Sequence, residues 1–140
     1  KTYEYRILNR RVPLPDQRLN SYFYYYALDV DKMREAAQYL VGEHDFKGFC
    51  SSGNSSKTTV RTIYDISVTR KDDFIVIRVT GNGFLYNMVR ILAGTLIYCG
   101  NGKIKPEDMA EIIESGDRQK AGKTAGPSGL TLVKIMYANF

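Results

Sequence analysis

Histidine is almost missing from this sequence and cysteine is scarce. His44 is the one imidazole, and Cys50 and Cys99 are the only thiols. They stand far apart, with none of the close spacings that hold zinc, so no metal site is expected. Two isolated thiols fit a reducing, cytoplasmic setting, and Cys99, inside an apolar segment, reads as core. No uninterrupted apolar run reaches membrane-spanning length, so neither a transmembrane helix nor a membrane partner is expected. No secretory leader is read at the start. There is no initiator methionine either: Lys1-Thr2-Tyr3-Glu4-Tyr5 already alternates like a strand, the expectation for a piece of a longer protein. Acidic residues are absent after Asp117, where Arg118, Lys120, Lys123 and Lys134 lie.

What is present suits one ordinary soluble domain. The 140 residues suffice for a real core, and 44% hydrophobic with 25% charged residues is a globular balance. The net charge is +5, from 20 basic and 15 acidic residues, and it is unevenly spread. Residues 1–20 hold Lys1, Arg6, Arg10, Arg11 and Arg18 against Glu4 and Asp16, while the acids gather around 29–45 and 107–117. Such asymmetry can turn a positive face toward phosphates, although an ordinary solvated surface reads the same way.

Periodicity supplies the elements. Residues 3–9 alternate as a strand, with Tyr3, Tyr5 and Ile7 on one face, and 11–20 form a Pro-bearing loop. The run Tyr22-Phe23-Tyr24-Tyr25-Tyr26 fits a short strand or a loop clamp equally. Asp29 caps a helix carrying Val30, Met33, Ala37 and Leu40, with Gly42 as its stop. Small polar residues 51–57 form a loop. Residues 61–70, with Tyr64, Ile66 and Val68 on one face, pair with 74–80 as an antiparallel hairpin. A helix runs from about Phe84 to Tyr98, and a second starts near Pro106 with Met109, Ile112 and Ile113 inward. After a loop over 121–129, a last strand places Val133, Ile135 and Tyr137 together. The order implies an α+β fold: an antiparallel or mixed sheet with helices on one face, in a single domain.

Few residues carry chemistry by type alone. From Gly81 to Asn101 the only charge is Arg90, on a helix apolar nearly all round. A buried guanidinium is costly unless paired, so Arg90 calls for a carboxylate or phosphate partner; a structural ion pair or a head reaching solvent is the plainer reading. Tyr3 can stack on a base and offer a hydroxyl, or simply pack in the core. Lys57 and Arg61 flank the polar loop, within reach of phosphates or only of water. His44, in a loop beside Asp45, has no nucleophile nearby and is not read as catalytic. Gly81-Asn82-Gly83 resembles part of a phosphate-binding turn before a helix, without the full glycine fingerprint.

Taken in order, several segments resemble TruA-type tRNA pseudouridine synthases. They are Gly81-Asn82-Gly83-Phe84-Leu85-Tyr86-Asn87-Met88-Val89-Arg90, residues Leu40 to Phe46, Val60-Arg61-Thr62-Ile63-Tyr64 and Gly129-Leu130-Thr131-Leu132. The opening Lys1-Thr2-Tyr3-Glu4-Tyr5-Arg6 resembles the strand bearing that family's active-site tyrosine. The resemblance implies isomerisation of uridine to pseudouridine in the tRNA anticodon stem-loop, at positions 38–40, without cofactor or metal. It implies an aspartate nucleophile, a target base drawn out of its stack, and a homodimeric complete protein. Tyr3 then matches the tyrosine packed on the target base, with Phe84 and Asn82 as further candidates for substrate contact. Arg90 matches the basic residue paired with the aspartate. The family's Gly-Arg-Thr-Asp-Ala-Gly segment is absent, so the chain corresponds to the C-terminal half, and the N-terminal half is an expected partner beside tRNA. Such a half is expected to be inactive by itself. A non-catalytic RNA-binding module, or a small-molecule enzyme built on the Arg90 pocket, are the alternatives.

Overall fold

Strand β1 (Thr2–Asn9) is the spine of the sheet. Its alternation buries Tyr5 and Ile7 completely, while Arg6, on the other face, lies over the Phe74 ring at 4.5 Å. The structure, a computed structural model, describes residues 1–17, 20–51 and 58–134. One edge of β1 pairs antiparallel with β5 (Phe74–Gly81), from Thr2↔Thr80 to Leu8↔Phe74. The other edge is shared: β6 (Leu130–Lys134) runs antiparallel beside residues 2–5, and β2 (Tyr22–Tyr24) runs parallel beside residues 7–9. Beyond β5 lie β4 (Val60–Lys71) and β3 (Gly42–Asp45), giving a six-stranded mixed sheet in the order β2-β1-β5-β4-β3. The α+β expectation stands.

Among the described residues three α-helices close the core: α1 (Val30–Gln38), α2 (Met88–Gly100) and α3 (Met109–Ser115). Asp29 caps α1 as expected, accepting from the Lys32 amide at 3.2 Å. Arg34 of α1 donates through Nε to the Val68 carbonyl at 2.7 Å, fixing the helix on β4. Met33, Ala36 and Ala37 join Ile66, Val68, Ile77 and Leu96 in one continuous apolar cluster. Among the described residues no helix is long and apolar enough to cross a membrane.

Some expectations need correction. Gly42 does not end α1, which stops at Gln38; with φ +109° it opens β3, so His44 sits on a strand rather than in a loop. Tyr64 does not share a face with Ile66 and Val68. The β4–β5 register shifts between Ile63 and Asp65, and this extra residue turns Tyr64 outward, 59% exposed, while Ile63 takes the buried place. The undecided aromatic run is a short strand followed by a turn, held by Asn9, whose Nδ2 donates to the Tyr24 and Tyr26 carbonyls. Lys57, Ile135 and Tyr137 lie outside the described residues.

Cys99 is wholly buried in α2, as expected, and burial, with Asp108 nearby, pushes its thiol up to about 12. Cys50 is half-exposed. A maleimide at neutral pH should label Cys50 in the native protein and Cys99 only after denaturant is added. Native labelling of both would contradict the packing of α2. Because the folded value lies above the unfolded one, this group's contribution is complete below about pH 9. It declines as pH rises toward about 12.

Candidate functional site

The turn between β5 and α2 makes the candidate site. Gly81 is needed at its start: a Cβ there would lie 2.8 Å from the Thr62 carbonyl oxygen and 3.2 Å from the Phe84 ring. Its absence lets Phe84 fold back until its ring meets Tyr3 edge to face, with centroids 5.3 Å apart and planes at 88°. Residues 84–87 are a turn and not the first turn of the helix, contrary to expectation. Asn87 adopts a left-handed φ of 60°, and α2 begins at Met88. Holding a non-glycine residue there costs roughly 1–3 kcal/mol, and Asn bears it better than most.

That conformation aims the Asn87 side chain in two directions. Its Nδ2 donates to Ser51 Oγ at 3.1 Å, and its Oδ1 accepts from Arg90 Nη1 at 3.1 Å. Arg90, in the first turn of α2, donates through Nε to the Ala125 carbonyl at 2.8 Å, while its own carbonyl accepts from the Ala125 amide at 3.1 Å. The carboxylate implied by the family resemblance belongs to the N-terminal half, and no acid of the described residues takes its place. Among the described residues Arg90 forms no ion pair, both its acceptors are neutral, and Nη2 has no hydrogen bond yet is not buried. A full positive charge is therefore held in fixed geometry with its outer nitrogen open.

Tyr3, Phe84, Met88, Val89, Arg90 and Leu130 line one cleft of about 120 Å³. Three sequence candidates, Tyr3, Phe84 and Arg90, thus face one space. Asn82 does not join them. Its Oδ1 accepts from the Thr62 amide at 2.9 Å, and its amide donates to the Thr62 carbonyl, so it ties the turn to β4. Arg61 lies close over Gly83, with Nη1 donating to the Thr58 and Val60 carbonyls. The phosphate-turn reading of 81–83 fails, since the amides of Gly81 and Asn82 are taken by Lys1 and Thr62 and no helix starts there. His44 contacts the Val41 carbonyl and the edge of Phe46, with no nucleophile at hand.

Several supports escaped the sequence reading. Tyr5 donates to the Gly126 carbonyl at 2.6 Å, pinning the segment that carries Ala125 under Arg90. Burial raises the Tyr5 hydroxyl above the ordinary tyrosine range, Tyr22 adds to this, and Arg90 opposes it, so it remains a donor at any working pH. The same segment needs glycine where it touches α2: a Cβ on Gly94 would fall 1.6 Å from the Lys123 carbonyl oxygen, and one on Gly122 would fall 2.5 Å from the Thr95 backbone. The Gly122 amide donates to Thr95 Oγ1 in the buried interior. No pattern in one sequence marks these contacts, because they join residues from 27 to 121 positions apart.

A family model described as tRNA pseudouridine synthase matches residues 36–138. A tRNA pseudouridine synthase A of Thermoanaerobacter sp. (strain X514) is 50% identical over 137 residues, 98% of this chain and 56% of the relative. That of Caldicellulosiruptor bescii is also 50% identical over the same shares, and that of Bacillus velezensis is 45% identical over 99% of this chain and 56% of its own. The chain spans about half the length of the curated relatives it matches. With the family model covering most of the chain, and Tyr3, Phe84 and Arg90 gathered in one cleft, the chain belongs to the tRNA pseudouridine synthase family.

Proposed function

We propose that this chain is the C-terminal half of a tRNA pseudouridine synthase acting on uridines 38–40 of the anticodon stem-loop. In this reading it supplies Tyr3 to pack on the target base and Arg90 to pair with a nucleophilic aspartate carried by an N-terminal half. The observation that carries the reading is Arg90 itself, held by neutral Ala125 and Asn87 oxygens, with Nη2 open and Tyr3 lining the same cleft. A guanidinium so placed lowers the pKa of a carboxylate docked against it and keeps that carboxylate ionised for attack. The reaction breaks the bond from uracil N1 to ribose C1′ and, after the base turns, joins C5 to C1′. The C5 proton leaves and N1 gains one, so the change is an isomerisation needing neither oxidant nor cofactor. The base must first leave its stack, and the cleft between Tyr3 and Arg90 is where it would lodge. A cytoplasmic, homodimeric complete protein belongs to the same proposal.

Two experiments test it. The chain should bind tRNA weakly, with affinity falling as salt rises, since lysine and arginine contacts to phosphate release counterions. Salt-independent binding, or none at low salt, would remove the basic-face argument. In the complete protein, Tyr3→Phe keeps the stacking ring and removes the hydroxyl, whereas Tyr3→Ala removes both. Stacking is worth about 1–3 kcal/mol per base, so the alanine variant should lose roughly 5- to 150-fold in kcat/KM, and at least as much as the phenylalanine variant. Wild-type turnover by Tyr3→Ala would leave Tyr3 as packing against Phe84 only.

A further inference from the structure

A second concavity among the described residues lies away from the Arg90 cleft. It measures about 450 Å³ and lies between the C-terminal end of α2 and the segment 118–123. Four cationic residues line it, Lys103, Arg118, Lys120 and Lys123, and no acidic residue does. Like charges gathered in one hollow repel, so a concentration of this kind favours an anion. The side chains are arranged and not merely nearby. Arg118 is half-buried and held by the Gly122 carbonyl at 2.8 Å and Thr124 Oγ1 at 3.0 Å, both neutral. Lys103 Nζ lies 4.4 Å from the centroid of the Tyr98 ring. Among the described residues Lys120 alone of the four is ion-paired, with Glu111 at 3.7 Å, both well exposed to solvent. Lys103 and Lys123 have no ion-pair partner among the described residues.

The hollow adjoins a second groove that extends toward the candidate site. Tyr98 and Lys123 also line this groove of about 210 Å³, which holds Tyr22 and Tyr24 and reaches Ala125, the residue that anchors Arg90. Between Arg90 and Tyr98 the helix rises about 12 Å. That is about three to four nucleotides at the ~3.4 Å rise of a stacked strand. Tyrosines interleaved with lysines along one track combine stacking surface with backbone neutralisation, the combination that holds a nucleic acid strand.

We infer that the hollow formed by Lys103, Arg118, Lys120 and Lys123 is a phosphodiester-binding subsite, which holds the tRNA backbone about three to four nucleotides from the base in the Arg90 cleft. The inference rests on the proposed function and locates on this chain one place where the substrate's phosphates are gripped. Arg118 shapes the hollow through its two internal bonds, while Lys103 and Lys123 give their charges to the RNA.

The test is a Lys103→Gln/Lys123→Gln variant of the complete protein, with Lys32→Gln/Lys71→Gln removing equal charge elsewhere. All four lysines are exposed, so neither variant should unfold, and thermal melting checks this. Each lost phosphate contact lowers the slope of log affinity against log salt by about 0.7–0.9, so the first variant should lose roughly 1.4–1.8. Its KM for tRNA should rise about fivefold or more near 0.15 M salt, with kcat within about twofold, while the second variant changes neither. An unchanged slope and KM in the first variant would overturn the subsite. So would a shift in subunit assembly with an unchanged slope, which would make the hollow a protein interface. Wild-type protein that binds tRNA with the expected slopes but forms no pseudouridine would sink the proposed function and keep the subsite. Normal turnover with an indifferent double variant would do the reverse.

Discussion

Replacing Arg90 with methionine in the complete protein is expected to lower pseudouridine formation about a hundredfold and to leave the fold in place. Methionine keeps an apolar stem of similar length among Leu85, Met88 and Val89, so the cleft stays lined. What disappears is the charge and the two bonds to the Ala125 and Asn87 oxygens. The backbone link from the Ala125 amide to the Arg90 carbonyl survives the substitution. Loss of the Nε donor leaves the Ala125 carbonyl short of a partner, at about 1–3 kcal/mol, so the melting temperature should fall by several degrees only. The catalytic loss has a separate origin. A carboxylate beside a guanidinium is depressed by about 1–3 pKa units, and without it the nucleophile is protonated over more of the working range. The sign is therefore fixed: the Arg90→Met rate should rise with pH across the range where the wild-type rate is already level. Arg90→Lys keeps the charge but not the fork that reaches both acceptors, and should fall between the two. A pH–rate profile of the methionine variant parallel to wild type would assign Arg90 a structural role alone.

The second large effect concerns a residue with no chemistry. Gly94→Ala should destabilise the protein by about 3 kcal/mol or more, with a melting temperature lower by about 10 °C or more. Helix propensity argues the other way, since alanine in a helix interior is favoured over glycine by about 1 kcal/mol. The packing decides. The added Cβ would fall 1.6 Å from the Lys123 carbonyl oxygen and 2.8 Å from its carbon, and these are backbone atoms that move only if the 121–126 segment lifts off α2. Lifting it would also carry Ala125 away from Arg90 and pull Gly126 from Tyr5, so activity should fall along with stability. Gly102→Ala is the comparison. Gly102 has φ +87° and nothing within 4 Å of a Cβ, so it bears backbone strain of only about 1 kcal/mol. Equal melting temperatures for the two variants would show that the segment does not rest on Gly94.

Much of this was legible in the order of the residues. Strand alternation in 3–9 and 74–80, the Asp29 cap and the lone charge of Arg90 in an apolar helix all survive in the structure. They are local signals, set by period and by the chemistry of one side chain. The misses are non-local or stereochemical. The bulge at Tyr64 depends on how β4 meets β5, and the start of α2 depends on a left-handed Asn87 that helical spacing does not reveal. The two neutral oxygens that hold Arg90 in this chain, the Ala125 carbonyl and Asn87 Oδ1, are not legible either, because neither a distant backbone carbonyl nor the left-handed turn at Asn87 leaves a trace in side-chain pattern. Tyr5 reads as one tyrosine among eleven until its hydroxyl is seen under Gly126.

The central claim is that this chain carries Arg90 and Tyr3 to a reaction whose nucleophile lies in another half of the protein. Pseudouridine at positions 38–40 of an unmodified tRNA transcript, quantified after incubation with the chain alone and with the complete protein, tests it most directly. The expected result is none from the chain at any concentration that binds tRNA, and full conversion by the complete protein. Turnover by the chain alone would place the nucleophile within these residues and contradict the account.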